Sequence, residues 1–289
     1  MPVHVPVLLQ EVLEYLDPKP GDIVVDATFG FGGHAREILK KIGSSGKLVG
    51  IETDREVIAK VKADFPSLQI IHGNFRDLKT LLEKNGVGKV DGILFDLGVS
   101  SYHFDASGRG FSFAKDEPLD MRLDEGLPRT AADLVNSMHE KELADLFYHL
   151  ADEYASRRIA TAIVSAREKE KITRTLQLAE IVRRAKLRRF SKIHPATKVF
   201  QALRIAVNDE LGALMSALPQ AIELLKKDGR AVVISFHSGE DRLVKNIFKS
   251  AAQSGEIDIL TKKPSVAEPL ERCENPRARS AKLRAAKRR

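Results

Sequence analysis

Several polar side chains stand where apolar runs end. Asp26 follows Ile23–Val25, Glu52 closes "KLVGIE", Asn74 and Phe75 follow "LQIIHG", Asp96 ends "VDGILFD", and His237 follows "RAVVISF". A carboxylate at the end of an apolar run is costly unless it is satisfied or used. Asp26 also opens "DATFGFGGHA", an acid followed by small residues and then a segment able to turn helical. Such a loop lets a ligand lie against bare backbone. An acid after the next strand can accept hydrogen bonds from both ribose hydroxyls. Phe75 can cover one face of an adenine, and Asp96 can accept from a cofactor or from a substrate amine. His34 and His103 are lone histidines, which are more often structural than chemical.

Three ligands compete for the loop. A P-loop needs G-x-x-x-x-G-K-[ST], and no Lys-Ser or Lys-Thr follows these glycines. A dinucleotide fingerprint is met on paper by Gly30, Gly32 and Ala35, with Glu52 or Asp54 as the acid some twenty residues on. S-adenosylmethionine, which has no phosphate, asks for the same geometry. The loop alone does not choose between the last two.

The elements that must position these residues follow from periodicity. Strand and helix patterns alternate from Ile23 to Asp96: "HAREILKKIG" reads as a helix closed by Gly43, and "EVIAKVKADF" and "FRDLKTLLEKNG" as the next two. That alternation means a parallel sheet with right-handed crossovers. The next clear strand is "RAVVISF", about 130 residues later, far beyond an ordinary crossover. Between them, residues 98–128 are irregular. Leu143, Leu146, Phe147 and Leu150 then take helical spacing behind a capping box of Ser137 and Glu140. The expected architecture is α/β: a doubly wound, Rossmann-like domain of residues 1–105 and 201–289, with a small all-helical domain of residues 106–200 inserted. "ATKVFQALRIAVNDELGALMSAL" re-enters the main domain as one helix, Pro219 starts the next, and Ser238 with Asp241 caps the last.

Composition narrows the class. With 43% hydrophobic and 30% charged residues, this is an ordinary globular chain. No apolar run approaches the roughly 20 residues of a membrane helix. The N-terminal "MPVHVPVLLQEVLEYL" reads as an amphipathic helix, not a signal peptide. Cys273 is the single cysteine, which suits a reducing cytoplasm and leaves neither a disulfide nor a metal cluster to expect. The net charge of +7 is unevenly spread: residues 151–205 hold fourteen basic against five acidic residues, and the tail 275–289 seven against none. Two such segments favour a polyanion partner over two solvated faces. Candidate contacts are "VRRAKLRRFSK", the tail, and Tyr102, Phe104, Phe111 and Phe113 with Arg109 and Arg122 interleaved. Open alternatives are a nicotinamide-dependent dehydrogenase, which leaves the basic segments idle, and a non-catalytic ribosome-assembly factor.

The chain resembles the bacterial 16S rRNA (cytosine-N4)-methyltransferases nearly end to end. The blocks that carry the likeness are "HVPVLL", "DATFGFGGHA", "IIHGNF", "DGILFDLGVSS", "RGFSF", "PLDMR", "HPATKVFQALRIAVNDEL", "ISFHSGEDRLVK" and "NPRARSAKLR", in that order. The resemblance implies S-adenosylmethionine as cofactor and a decoding-centre cytidine of the small ribosomal subunit as substrate, in the cytoplasm, without a membrane or a metal. It leaves room for a homodimer. It implies cofactor contacts at Gly32, Gly33, His34, Glu52, Phe75, Asp96 and His103, with Asp96 also the catalytic candidate. Glu52 stands where relatives usually have aspartate, His103 where they often have glutamine, and Gly239 where they often have leucine. The Asn/Asp-Pro-Pro-aromatic signature of many amino-methyltransferases is absent.

Overall fold

A computed structural model of the chain describes residues 6–186 and 193–289. In chain order the elements are α1 (Leu9–Leu16), β1 (Ile23–Asp26), α2 (Gly33–Ile42), β2 (Lys47–Glu52), α3 (Arg55–Val61), β3 (Gln69–His72), α4 (Leu78–Lys84), β4 (Val90–Asp96) and α5 (Ser101–Asp105). There follow α6 (Ala131–Ser137), α7 (Glu140–Ala151), α8 (Ser156–Arg167), α9 (Thr175–Ala185), α10 (Thr197–Asn208) and α11 (Glu210–Leu224). The chain closes with β5 (Leu225–Ser235), α12 (Ser238–Gln253), β6 (Ile257–Ile259), α13 (Pro269–Glu274) and β7 (Lys282–Arg288). It divides into two compact units, residues 1–98 with 211–289, and residues 99–210.

The first unit is a seven-stranded sheet in the order β3-β2-β1-β4-β5-β7-β6. Five strands from β3 to β5 pair in parallel, and β7 runs antiparallel to both of its neighbours. Val24, Val25, Ile93, Leu94 and Phe95 are all buried, the near-continuous apolar pattern of strands covered on both faces. The strand order reverses between β1 and β4. In open α/β sheets ligands bind outside the carboxyl ends of the strands at that point.

β7 corrects one expectation. The tail read as a basic arm for RNA is a sheet strand: Leu283, Ala285 and Ala286 are buried, and Ala285 and Ala286 face Val232 and Ala231 of β5. Five of its basic residues meet acids. Asp241 takes Arg284 at 2.7 Å and Lys282 at 3.3 Å, Asp228 takes Lys287, Glu256 takes Arg288 and Asp258 takes Arg289.

The second unit is helical and has its own core, including Phe111, Leu143, Phe147, Ile159, Ile163, Leu178 and Leu203. Caps fall one or two residues from the expected places. His139 with Glu142 forms the box of α7, and His237 with Glu240 that of α12. In both, imidazole takes the part expected of a serine hydroxyl. The expected re-entry helix is broken at Asp209, whose φ of 46° ends α10, and Pro219 lies inside α11 instead of starting a helix.

Candidate functional site

The glycine loop is threaded between two strands. Ala27 N–H donates to Leu94 O of β4 and Phe29 N–H to Ile51 O of β2, both at 2.9 Å. Phe29 packs edge-on against Phe65, with ring centroids 5.1 Å apart. Gly32, at φ 71°, turns the chain into α2. A Cβ there would lie 2.4 Å from the Phe65 ring, so glycine is favoured at this position on both counts.

Glu52 and Asp54, equivalent in the sequence, are separated by the structure. Asp54 is buried and caps α3, accepting from Glu56 N–H at 2.9 Å. Glu52 turns to the loop: its Oε2 accepts from Gly30 N–H and its Oε1 from Asp54 N–H, each at 2.8 Å. An ionised carboxylate has about four lone-pair sites, so it keeps acceptor capacity for a diol. Asn74 caps the short 3₁₀ turn Phe75–Asp77. That turn holds the half-buried Phe75 edge-on to Phe95, at 5.7 Å between centroids.

Thr28 ties the ends of β1 and β4. Its N–H donates to Asp26 Oδ1 at 3.2 Å, and its Oγ1 accepts from Asp96 N–H at 2.6 Å. His34, buried in the first turn of α2, bonds through Nε2 to the carbonyl of Val7 at 2.9 Å. A carbonyl only accepts, so Nε2 carries the proton. Nδ1 then faces Asp96 Oδ2 at 3.6 Å. Asp26, which feels the charges of both, is 2% exposed, and its carboxyl is pushed up to about 7. Burial is the main cause. His34 and the Thr28 N–H pull down, while the charges of Asp96 and Glu52 push further up.

Of the residues expected at the site, Gly32, Gly33, His34, Glu52, Phe75 and Asp96 all belong to the strand-end region of the first unit. His103 belongs to the second unit. There it is buried in α5, its Nδ1 accepting from Ser100 N–H at 3.1 Å, with its ring 5.3 Å from Phe111. Asp26 was noted as a strand end but given no role.

Several expected RNA contacts have structural partners instead. Arg122 clasps Asp120 through two nitrogens and holds the carbonyls of Glu125 and Leu127. Arg109 donates to the carbonyls of Arg122 and Leu123. Phe111 is core, and Phe113 packs on His194 and Phe200. Phe104 remains exposed. Of "VRRAKLRRFSK", residues 187–192 lie outside the described residues.

A doubly wound sheet with a glycine loop and strand-end acids at its switch point makes this region the candidate site for a nucleoside-containing cofactor. The particular family comes from comparison: the MraW methylase family matches residues 1–289, and the chain belongs to it. It is 48% identical to the ribosomal RNA small subunit methyltransferase H of Geobacter sulfurreducens, across 98% of each chain. It is 50% identical to the protein of that name from Deinococcus radiodurans, across 99% of this chain and 89% of the other. A third, from Neorickettsia sennetsu, is 49% identical, across 98% and 95%.

Proposed function

We propose that this methylase transfers the methyl group of S-adenosylmethionine to the N4 amine of a decoding-centre cytidine in 16S rRNA, with the assembled small ribosomal subunit as substrate. We read it as a cytoplasmic enzyme, free to act alone or as a homodimer. The relatives' shared name and the sequence blocks support the reaction. One observation carries the choice of cofactor. Asp26, Glu52 and Asp96 end three adjacent strands, and the loop 27–33 between them carries no Lys or Arg. A pyrophosphate there would face carboxylates. A ligand with a diol and net positive charge would find acceptors.

When bound, S-adenosylmethionine supplies a methyl group already activated on a sulfonium. The protein's part is to hold, orient and accept. Glu52 keeps the loop closed through Gly30 N–H and offers its remaining lone pairs to ribose hydroxyls. Gly32 and Gly33 present bare backbone, and Phe75 offers a ring face to adenine. The cytosine amine is a weak nucleophile because its lone pair is delocalised into the ring. Asp96 accepts a hydrogen bond from that amine and takes the proton the nitrogen releases once its new bond to carbon is made. His34, fixed by Val7 O, stands 3.6 Å from the Asp96 carboxylate and bounds the space it occupies.

The test uses purified protein, methyl-labelled S-adenosylmethionine and small subunits lacking the modification, with nucleosides analysed by mass spectrometry. Labelled N4-methylcytidine is the expected product. Asp96→Asn should lower single-turnover transfer on the order of 10²-fold or more and change cofactor Kd far less. Unchanged transfer with a weakened Kd would reduce Asp96 to a cofactor contact. No label in any nucleoside, with the cofactor bound, would leave the assembly-factor reading.

A further inference from the structure

The helical unit contains a cleft of about 1160 Å³ that the strand-end site does not use. It is lined from α7, α8, the turn between them, and both sides of residues 187–192. Asp152, at φ 50°, ends α7 and reverses the chain. The reversal puts Tyr154 at the rim, 82% exposed. Tyr148, on the last turn of α7, meets it edge-on at 6.1 Å and is itself 46% exposed. Both tyrosines line the one opening.

The charges around them are arranged. Glu153 is buried on the cleft wall: its Oε1 accepts from Ala155 N–H at 2.9 Å and its Oε2 from Lys186 Nζ at 2.6 Å. Lys186 is thereby fixed in the lining. Lys198 is held by Asp152 O at 2.7 Å, with its ammonium 5.4 Å from the centroid of Tyr154. Arg157 and Arg158, both exposed in the first turn of α8, have no side-chain partner among the described residues.

The geometry points to this cleft as a contact for unpaired RNA. A base stacks on Tyr154 beside Tyr148, and Arg157 and Arg158 take the flanking phosphates. The inference rests on the RNA-methyltransferase reading above and adds a contact apart from the reacting base. Aromatic faces set in a basic groove are what single strands recognise, because every base has a π-face and every linkage a charge. The exposed rings share the lining with Arg157, Arg158, Lys186 and Lys198, which favours a polyanion over an apolar protein surface as occupant.

The test is fluorescence anisotropy with a labelled single-stranded oligoribonucleotide of about twelve nucleotides, run beside the methylation assay. Tyr154→Ala should weaken binding about tenfold, Tyr154→Phe should restore it, and both should melt with the wild type. Arg157→Gln with Arg158→Gln should lower the slope of log affinity against log salt by about 1.4, two single-strand phosphate contacts. The KM for subunits should rise with the loss of oligonucleotide binding, while cofactor Kd holds. Wild-type binding by Tyr154→Ala, or no oligonucleotide binding by the wild type, overturns the assignment. Displacement of the oligonucleotide by polyglutamate at equal charge would assign the cleft to an acidic protein segment instead. Tyr154-dependent binding without any labelled nucleoside would keep the cleft and overturn the methyltransferase reading.

Discussion

The tail 275–289 and the segment 151–205 hold the chain's basic surplus, and the fold balances the two unevenly. In the tail, Lys282, Arg284, Lys287, Arg288 and Arg289 each meet an acid, and apolar residues between them are buried in the sheet. In the segment, Arg174, Arg183, Arg184, Lys186 and Arg204 also meet acids, but Arg157 and Arg158 stand without side-chain partners among the described residues, beside exposed tyrosines. Net charge counts both alike. What separates them is whether the acid that balances a base lies within the fold or must come from a ligand. Unbalanced charge marks a surface that gains by binding its opposite.

The same contrast divides two acids of the sheet unit, and pH tests it most strongly. Asp26 lies among acids and is pushed up to about 7, chiefly by burial. The folded state therefore holds a proton that the unfolded chain gives up near pH 4. Stability should decline as pH rises from about 4 to 7 or 8, by about 4 kcal/mol for a shift of some three pKa units. Urea melts across this range should show the decline, and Asp26→Asn should flatten it. Cofactor affinity should rise over the same window, since an ionised Asp26 favours a cation. A wild-type curve that is flat above pH 5 would mean a balancing charge at Asp26.

Asp241 is the balanced case. Burial pushes its carboxyl up, but hydrogen bonds and charge from Arg284 and Lys282 bring it below the usual range. Its contribution is present above pH 4 and is lost as pH falls through the lowered value, opposite in sign to Asp26. Asp241→Asn leaves Arg284, 9% exposed, without its partner. We expect a loss of about 2 kcal/mol, below the range for a fully buried pair. Oligonucleotide affinity should not change. If it rises severalfold with stability intact, the freed bases meet phosphate and the tail binds RNA after all.

These pairs also show what the sequence could reveal. The alternation of strands and helices was readable because parallel strands are apolar throughout, and Asp26, Glu52 and Asp96 stood out as acids ending apolar runs. Spacing left the choice between Glu52 and Asp54 open and only the family resemblance favoured Glu52, because the choice depends on which carboxylate meets Gly30 N–H and which caps α3. β7 was hidden because "AKLRAAKRR" has few β-formers and its partners lie up to 59 residues away. Sequence favours Phe111 and Phe113 over Tyr154 as RNA contacts only by their place beside β4. Composition ranks those aromatics alike, and only burial shows that Phe111 is core and Tyr154 is not.

The smallest expected effect concerns a base that is balanced locally. Glu180 on α9 takes Arg183 at 2.6 Å and Arg184 at 2.6 Å, all three at the surface. Its carboxyl is held at about 2, first by the hydrogen bond from Arg183 and then by that from Arg184. Exposed pairs of this kind contribute little to stability because water and salt screen them. Their effect on a polyanion is different, since an acid one turn away subtracts from the field of both arginines. Glu180→Gln should leave the melting midpoint nearly unchanged, yet tighten oligonucleotide binding about twofold and steepen its salt dependence by up to about 0.7. If binding and slope both stay at wild-type values, the surface of α9 is a solvated face, and the RNA-binding charge of segment 151–205 contracts to the arginines of α8.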